Sequence, residues 1–459
     1  MFRRILIANR GEIAVRIIRT CIEMNIDTVA VYSTADKDSL HVKLATKAVC
    51  IGPAKASQSY LNMNSILTAA LDNHCDAIHP GFGFLSENSD FARLCEENNI
   101  KFIGPKADVI DAMGNKAMAK TMMRKGSVPV VPGSDGALKD YDEAKEIADR
   151  IGYPVLLKAS AGGGGRGMRR AYSEEELKKA YDEAKAEARA CFGNDEMYIE
   201  KLIVNPRHIE FQILADEMGN VVHLGERDCS IQRKNQKLIE ESPCMLLSDE
   251  LRDKMGAAAV NAAKASGYTN AGTVEFVLDG DNNFYFIEMN TRIQVEHGVT
   301  EMVTGIDLIK EQIRIAFHEP LGFEQEDIKL KGHAMECRIN AEDPAKGFMP
   351  NSGKITFLNL PGGPGVRVDT MLYNGYETSP FYDSMMAKII VHAPTRLEMI
   401  RKMRRALMEI STEGIITTSD FEYLILFHPD FIKGKYNVGF IEEHMDEILS
   451  WDAFGEGNE

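Results

Sequence analysis

Apolar runs and polar breaks alternate along the first hundred residues. "RILIAN" (4–9) reads as a buried strand and "GEIAVRIIRTCIEMN" (11–25) as an amphipathic helix. "TVAVYS" (28–33), "DAIHPGFGFLSEN" (76–88), where a strand runs into a glycine turn, and "KFIGP" (101–105) continue the pattern. It predicts a parallel sheet with crossover helices over 1–114. No GxGxxG opens a helix after the first strand. A structural α/β module and a binding domain therefore both remain open for this Rossmann-like part.

From 115 to 330 the pattern is α+β, with a small inserted subdomain over about 131–203. There "PVLLKAS" (154–160) and "MRRAYS" (168–173) are short strand-like runs on either side of four consecutive glycines, Gly162–Gly165. A helix follows from Ser173, with Glu176 set for a capping box and Leu177, Ala180, Tyr181, Ala184, Ala188 and Cys191 at helical spacing. A P-loop needs GxxxxGK[ST] before a helix; here Met168 and Arg169 follow Gly167 and lead into a strand. The glycines are thus the tip of a hairpin, either a flap over phosphates or a plain mobile loop. A third part, 331–446, holds "HAMECRINAED" (333–343), turn-rich "LPGGPGVRVD" (360–369) and "YNGYETSPFYDS" (373–384), and the helix "RLEMIRKMRRALMEI" (396–410). Residues 447–459 form an acidic tail.

Chemistry concentrates in "GTVEFVLDGDNNFYFIEMNTRIQVEH" (272–297), read as a hairpin about "DGDNN". Glu275 and Glu288 each sit among hydrophobes and fall nearly opposite across the pair. Facing buried carboxylates repel unless a cation is shared, and carboxylate plus amide oxygens suit Mg²⁺. If the second strand runs on, Glu288, Asn290, Arg292, Gln294 and Glu296 form one polar row about 20 Å long. Lys116, Lys158 and Lys237 are candidate phosphate cations, Lys158 the strongest because it interrupts an apolar strand. Arg338 alternates with Glu336 and Asn340 opposite Met335, Cys337 and Ile339, and could enter a cleft or a structural ion pair. His208 reads first as a satisfied histidine.

The net charge of −16 disfavours nucleic acid as a partner. Eight scattered cysteines without a CxxC pair argue against zinc and disulfides, and for a reducing cytoplasm. No apolar run approaches the ~18 residues of a membrane span, and "MFRRILIANR" lacks a signal-peptide core.

Eight ordered segments are "ILIANRGEIAVRIIR", "HPGFGFLSEN", "FIGP", "LLKASAGGGGRGMR", "EKLIVNPRHIEFQILAD", "ERDCSIQRKNQK", "FIEMNTRIQVEH" and "ECRINAED". Together, from residue 1 to about 440, they resemble biotin carboxylase, the ATP-grasp component of biotin-dependent carboxylases, and most of all the stand-alone subunit of bacterial acetyl-CoA carboxylase. The resemblance implies an ATP-grasp fold behind an N-terminal Rossmann-like domain and before a C-terminal α+β domain. It implies ATP- and bicarbonate-dependent carboxylation of biotin, with Mg²⁺ or Mn²⁺, two ions in all.

By the same resemblance Glu296 is the base for bicarbonate, while Arg292, Lys237, Gln294 and Val295 hold the anion. Arg338 stabilises the biotin oxygen, and Phe82 lies on the biotin side. Glu275, Glu288 and Asn290 hold the metal, with Lys116 and Lys158 on the phosphates. Gly163, Gly164, Gly165 and Met168 form the lid tip. Glu200, Lys201, Ile203, His208, Gln232 and Leu278 contact adenine and ribose. Partners follow too: a biotin carboxyl carrier protein, since no "AMKM" acceptor occurs, carboxyltransferase subunits, since no such segment follows, and a second copy in a homodimer.

Four positions depart from the commoner family pattern: Phe82 for tyrosine, Asn235 for histidine, Gly298 for proline and Thr418 for asparagine. None removes a proposed catalytic group. The competing readings are a pyruvate or propionyl-CoA carboxylase component, another ATP-grasp ligase, and a nucleotide-binding regulatory subunit.

Overall fold

A computed structural model describes residues 1–159, 168–192 and 195–451. Near the N-terminus, five parallel strands stand in the order Lys47–Gly52, Asp27–Ser33, Arg4–Ile7, Ala77–His79, Lys101–Phe102. This is the doubly wound arrangement that the alternating pattern predicts. The helix Gly11–Glu23 turns Ile13, Ala14, Ile17, Ile18 and Cys21 into the core beneath it. Each such side chain contributes about 1.5–3 kcal/mol by leaving water. Just before that helix Arg10 forms a buried two-bond ion pair with Asp36, at 2.7 and 2.9 Å. Tyr60 donates to the same carboxylate at 2.6 Å. A side-chain lock thus fills the turn where a dinucleotide fold carries its glycine fingerprint.

The largest sheet has eight antiparallel strands, in the order Phe284–Asn290, Asn270–Leu278, Arg207–Ala215, Val221–Arg233, Gln236–Ser242, His333–Asn340, Met385–Ala393, Val366–Thr370. It is continuous across residue 330, because Gln236–Ser242 pairs directly with His333–Asn340. Alternation along the later strands sorts two faces. Met335, Cys337, Ile339, Ile389 and Val391 pack under the helix Arg396–Glu409, against Met399, Ile400, Met403 and Leu407. On the opposite face lie Glu336, Arg338, Lys388 and Ile390, beside the helix His297–Thr304. That sorting aims the charged residues at the site.

A smaller unit projects from this body. Strands Val155–Ala159, Met168–Ala171 and Met197–Lys201 form a three-stranded sheet that shares a core with helices Tyr141–Ile151 and Glu174–Phe192. Val155–Ala159 and Met168–Ala171 pair antiparallel, as the strand–loop–strand reading requires. The start of the second helix differs slightly from expectation. Ser173 Oγ caps the Glu176 N–H, but the Glu176 carboxylate accepts from the N–H of Tyr172 rather than of Ser173. Its chain leaves the preceding strand one residue earlier than a regular capping box assumes. Among the described residues no helix is long and apolar enough to cross a membrane. The seven cysteines whose side chains are described are free.

Candidate active site

Strand register builds the site. Glu275 and Glu288 are Cα partners across their antiparallel pair, as the hairpin reading predicts, and Glu210 is the partner of Glu275 on its other side. Three carboxylates therefore line up across three neighbouring strands. Lys237, from the strand Gln236–Ser242, reaches into them. Its ammonium lies 2.6 Å from Glu210 Oε2, 3.2 Å from Glu275 Oε1 and 2.5 Å from Glu296 Oε1. Burial alone would lower the Lys237 pKa, but Glu210, Glu275 and Glu296 outweigh it and raise it well above the usual lysine value.

Glu296 is buried and held from two sides, since Arg338 Nη2 donates to its second oxygen at 2.9 Å. Burial resists its ionisation, yet Lys237, Arg338 and Arg227 together keep its carboxyl well below the ordinary range. Arg338 also pairs with Glu240 at 2.5 Å, and burial raises the Glu240 pKa to about 7 against the pull of Arg338. Arg227, wholly buried, binds Glu210 at 2.6 Å, Gln212 at 2.8 Å, Thr300 at 3.0 Å and Thr273 at 3.1 Å. It ties the floor of the site to the helix that follows Glu296.

The polar row expected to extend along one strand does not do so. The strand stops at Asn290, and the chain turns before the helix His297–Thr304. Gln294 comes back to donate to Glu275 Oε1 at 2.9 Å, the oxygen that Asn290 Nδ2 also reaches at 2.8 Å. Arg292 is drawn aside by Glu87 of the N-terminal part, at 2.8 Å, while its other nitrogens contact Gln294 Oε1 at 3.2 Å and Asn290 Oδ1 at 3.3 Å. The reason is electrostatic: carboxylates on two other elements compete for these side chains, and a turn lets both be satisfied. A linear row thereby becomes a compact cage.

A metal fits one corner of that cage. Glu288 has no hydrogen bond or ion pair among the described residues. Burial and then the nearby Glu275 raise its pKa, with Lys116 pulling the other way. His208 Nε2 lies 3.0 Å from Glu275 Oε2. Glu275 is itself held well below the usual range, its burial overcome by Lys237 and His208. Facing carboxylates with the Asn290 amide beside them form a hard-oxygen donor set of the kind Mg²⁺ takes.

A second cluster sits on the small unit. Glu200 accepts from Lys158 at 2.6 Å and pairs with Lys120 as well. Burial, and then Lys116, push the Lys158 ammonium down to about 8. Burial, and then Lys158, Arg124 and Lys116, bring Lys120 to about 7. Lys116, exposed at the head of the helix Lys116–Lys125, thus acts electrically on both this cluster and Glu288. Lys201 spends its side chain on the Gly152 and Tyr153 carbonyls, at 3.0 and 2.8 Å. Met168 and Ile203 are half-buried, whereas Gln232 and Leu278 are buried. Gly163, Gly164 and Gly165 lie outside the described residues.

Comparison with known proteins decides the family. Residues 1–110 match "Biotin carboxylase, N-terminal domain", residues 115–323 "Carbamoyl-phosphate synthase L chain, ATP binding domain", and residues 336–443 "Biotin carboxylase C-terminal domain". The chain is 56% identical over 445 residues to biotin carboxylase 1 of Bacillus subtilis, covering 97% of this chain and 99% of that one. The chain belongs to the biotin carboxylase family. It is also 54% identical to one component of the pyruvate carboxylase of Methanothermobacter thermautotrophicus, over 97% of this chain and 91% of that one. In three dimensions the chain superposes on the biotin carboxylase domain dimer of Hydrogenobacter thermophilus 2-oxoglutarate carboxylase, solved with MgADP, ADP and bicarbonate. Their TM-score is 0.91 at 53% identity, covering 98% and 99% of the two chains. The chain is thus an ATP-dependent carboxylase of the biotin carboxylase type, with an ATP-grasp fold.

The four departures from the commoner biotin carboxylase pattern have local explanations. Asn235 and Lys234 form a two-residue hairpin loop with φ of 64° and 48°, and asparagine tolerates that left-handed region well. At Gly298 a Cβ would come within 2.3 Å of Ile390 Cδ1, so a buried isoleucine fills the room a side chain would need. Thr418 Oγ1 donates to the Arg338 carbonyl at 3.0 Å and accepts from the Asn340 N–H at 3.1 Å, steadying the strand end that carries Arg338. Phe82 packs part-buried against the N-terminal core, with its carbonyl held by Asn9 at 2.7 Å.

Several functional neighbours escaped the sequence reading. Glu210 and Lys388 each interrupt an apolar strand, the same signal that singled out Glu275 and Lys158. Glu87, Glu240, Arg227 and Lys120 carry no such local mark.

Proposed function

We propose that this biotin carboxylase activates bicarbonate with ATP and carboxylates biotin on a carrier protein, as the first half-reaction of an acetyl-CoA carboxylase supplying fatty-acid synthesis. The carrying observation is Glu296, kept ionised between Lys237 and Arg338 while Arg292 and Gln294 stand beside it. An entering bicarbonate takes Lys237 and Arg292 as its own counter-charges. Glu296 then loses part of what held its pKa down and gains proton affinity at the moment a base is needed.

Bicarbonate oxygen, with its proton passing to Glu296, attacks the γ-phosphorus of ATP and the β–γ bond breaks. This yields ADP and carboxyphosphate. Carboxyphosphate splits into CO₂ and phosphate, the phosphate takes the ureido proton of biotin, and the nitrogen so freed attacks CO₂. Arg338 stabilises the negative charge that develops on the ureido oxygen. Glu275, Glu288 and Asn290 hold Mg²⁺ or Mn²⁺, which neutralises phosphate charge when bound. Lys116 and Lys158 add cations to the phosphates. His208, Gln232, Leu278, Glu200, Lys201 and Ile203 take the nucleoside, and the segment 131–203, with its glycine tip, closes over it as a lid.

We assign the working parts as 1–114, 115–330 and 331–446, with a second copy as dimer partner and a cytoplasmic location. The dimeric relative from Hydrogenobacter supports the dimer, and the 56% identity to the Bacillus subtilis enzyme supports the acetyl-CoA assignment. Reconstitution with a biotinylated carrier and carboxyltransferase tests the acceptor. Label from bicarbonate should appear in malonyl-CoA when acetyl-CoA is supplied. Transfer to pyruvate alone would reassign the acceptor and leave the first half-reaction intact.

A further inference from the structure

Arg338 and Lys388 are Cα partners on adjacent antiparallel strands, so their side chains leave the same face of the sheet. Both reach the same short segment. Arg338 takes the Glu296 carboxylate, while Lys388 Nζ donates to the Val295 carbonyl at 2.5 Å. Lys388 has no exposed surface, and its nearest carboxylates are farther off, Glu12 Oε1 at 3.4 Å and Glu336 Oε2 at 3.8 Å. Neither of those carboxylates makes a hydrogen bond within the structure. The short, directed bond of this ammonium is therefore the one to Val295.

Burying a cation is costly, and an apolar side chain of similar volume often stabilises a core at least as well. Its presence here has a geometric consequence. The Val295 carbonyl and the Glu296 N–H belong to one planar peptide unit. Holding that oxygen fixes the plane from which the Glu296 side chain departs, and with it the spacing of Gln294, Val295 and Glu296. Helix Gly11–Glu23 supplies Glu12, so the N-terminal part balances the charge that anchors a loop of the central part.

We infer that Lys388 is a positioning residue for bicarbonate, acting through the Val295 carbonyl on the segment Gln294–Glu296. The inference rests on the biotin carboxylase reading of that segment.

Initial rates with ATP and bicarbonate varied separately test it in Lys388→Met and Lys388→Gln, with folding followed by circular dichroism. Glu12→Gln is the control, because it removes a counter-charge and spares the bond to Val295. The KM for bicarbonate should rise about tenfold or more in the Lys388 variants, on the scale of a lost charged hydrogen bond, while the KM for ATP stays within about twofold. Glu12→Gln should keep both constants. If the neutral variants fail to fold, Lys388→Arg keeps the charge but displaces the donor, and the same selective rise is expected. An unchanged bicarbonate KM, a parallel change in both constants, or a Glu12→Gln enzyme that behaves like the Lys388 variants would overturn the inference. Absence of bicarbonate-dependent turnover in the unmodified enzyme would instead overturn the reading beneath it.

Discussion

Lys237 Nζ and Glu296 Oε1 lie 2.5 Å apart inside a cage that solvent barely reaches. The pair is balanced rather than isolated, since Glu210 and Glu275 share the ammonium and Arg338 shares the carboxylate. Such a network keeps a base ionised at rest and releases it when an anion enters.

Glu296→Gln removes the base and keeps the shape. The turnover number with bicarbonate should fall by about 10²–10⁴-fold, the usual contribution of a positioned base. Nucleotide affinity, read by calorimetry with ADP, should stay within about twofold. Equal losses in turnover and nucleotide affinity would mean that Glu296 serves the architecture alone.

Lys158 gives a pH signature. Burial, and then Lys116, hold its pKa at about 8, below the ordinary lysine value, so the charge is lost as pH rises through that value. The KM for ATP should therefore climb between about pH 7 and pH 9. Stability should move the other way. Between the folded pKa of about 8 and the unfolded value the unfolded chain binds more protons, so this group makes stability rise with pH. Lys158→Arg keeps its charge and should flatten the ATP profile. A KM for ATP flat across that range in the unmodified enzyme would remove Lys158 from the phosphate site.

Gly298 tests packing. Gly298→Ala sets a Cβ against Ile390 Cδ1, at 2.3 Å before relaxation, and overpacking of this kind costs about 1–3 kcal/mol. Ile390→Val removes the clashing methyl, so the double variant should unfold in denaturant nearer the unmodified protein than Gly298→Ala does. Additive losses would show that Ile390 is not the obstacle.

The readable and unreadable parts of the site divide by what local pattern can encode. Glu275 opposite Glu288 follows from turn length and strand period, both local. The parallel N-terminal sheet follows from its alternating runs in the same way. Alternation after Asn290 misled because period alone does not say where a strand stops. The stop is set by Glu87, 205 residues from Arg292, and by Gln294 returning to Glu275. Thr418 beneath Arg338 is likewise a contact across 80 residues. Glu210 and Lys388 differ from these cases: the cue of a charge in an apolar strand was present, but its partner lay on other strands.

The most direct measurement is ADP release by the purified enzyme with Mg²⁺, ATP and free biotin, with and without added bicarbonate in CO₂-depleted buffer. The account predicts turnover that requires bicarbonate, forms carboxybiotin, and is lost in Glu296→Gln. ATP hydrolysis indifferent to bicarbonate, or no turnover under any of these conditions, would contradict it.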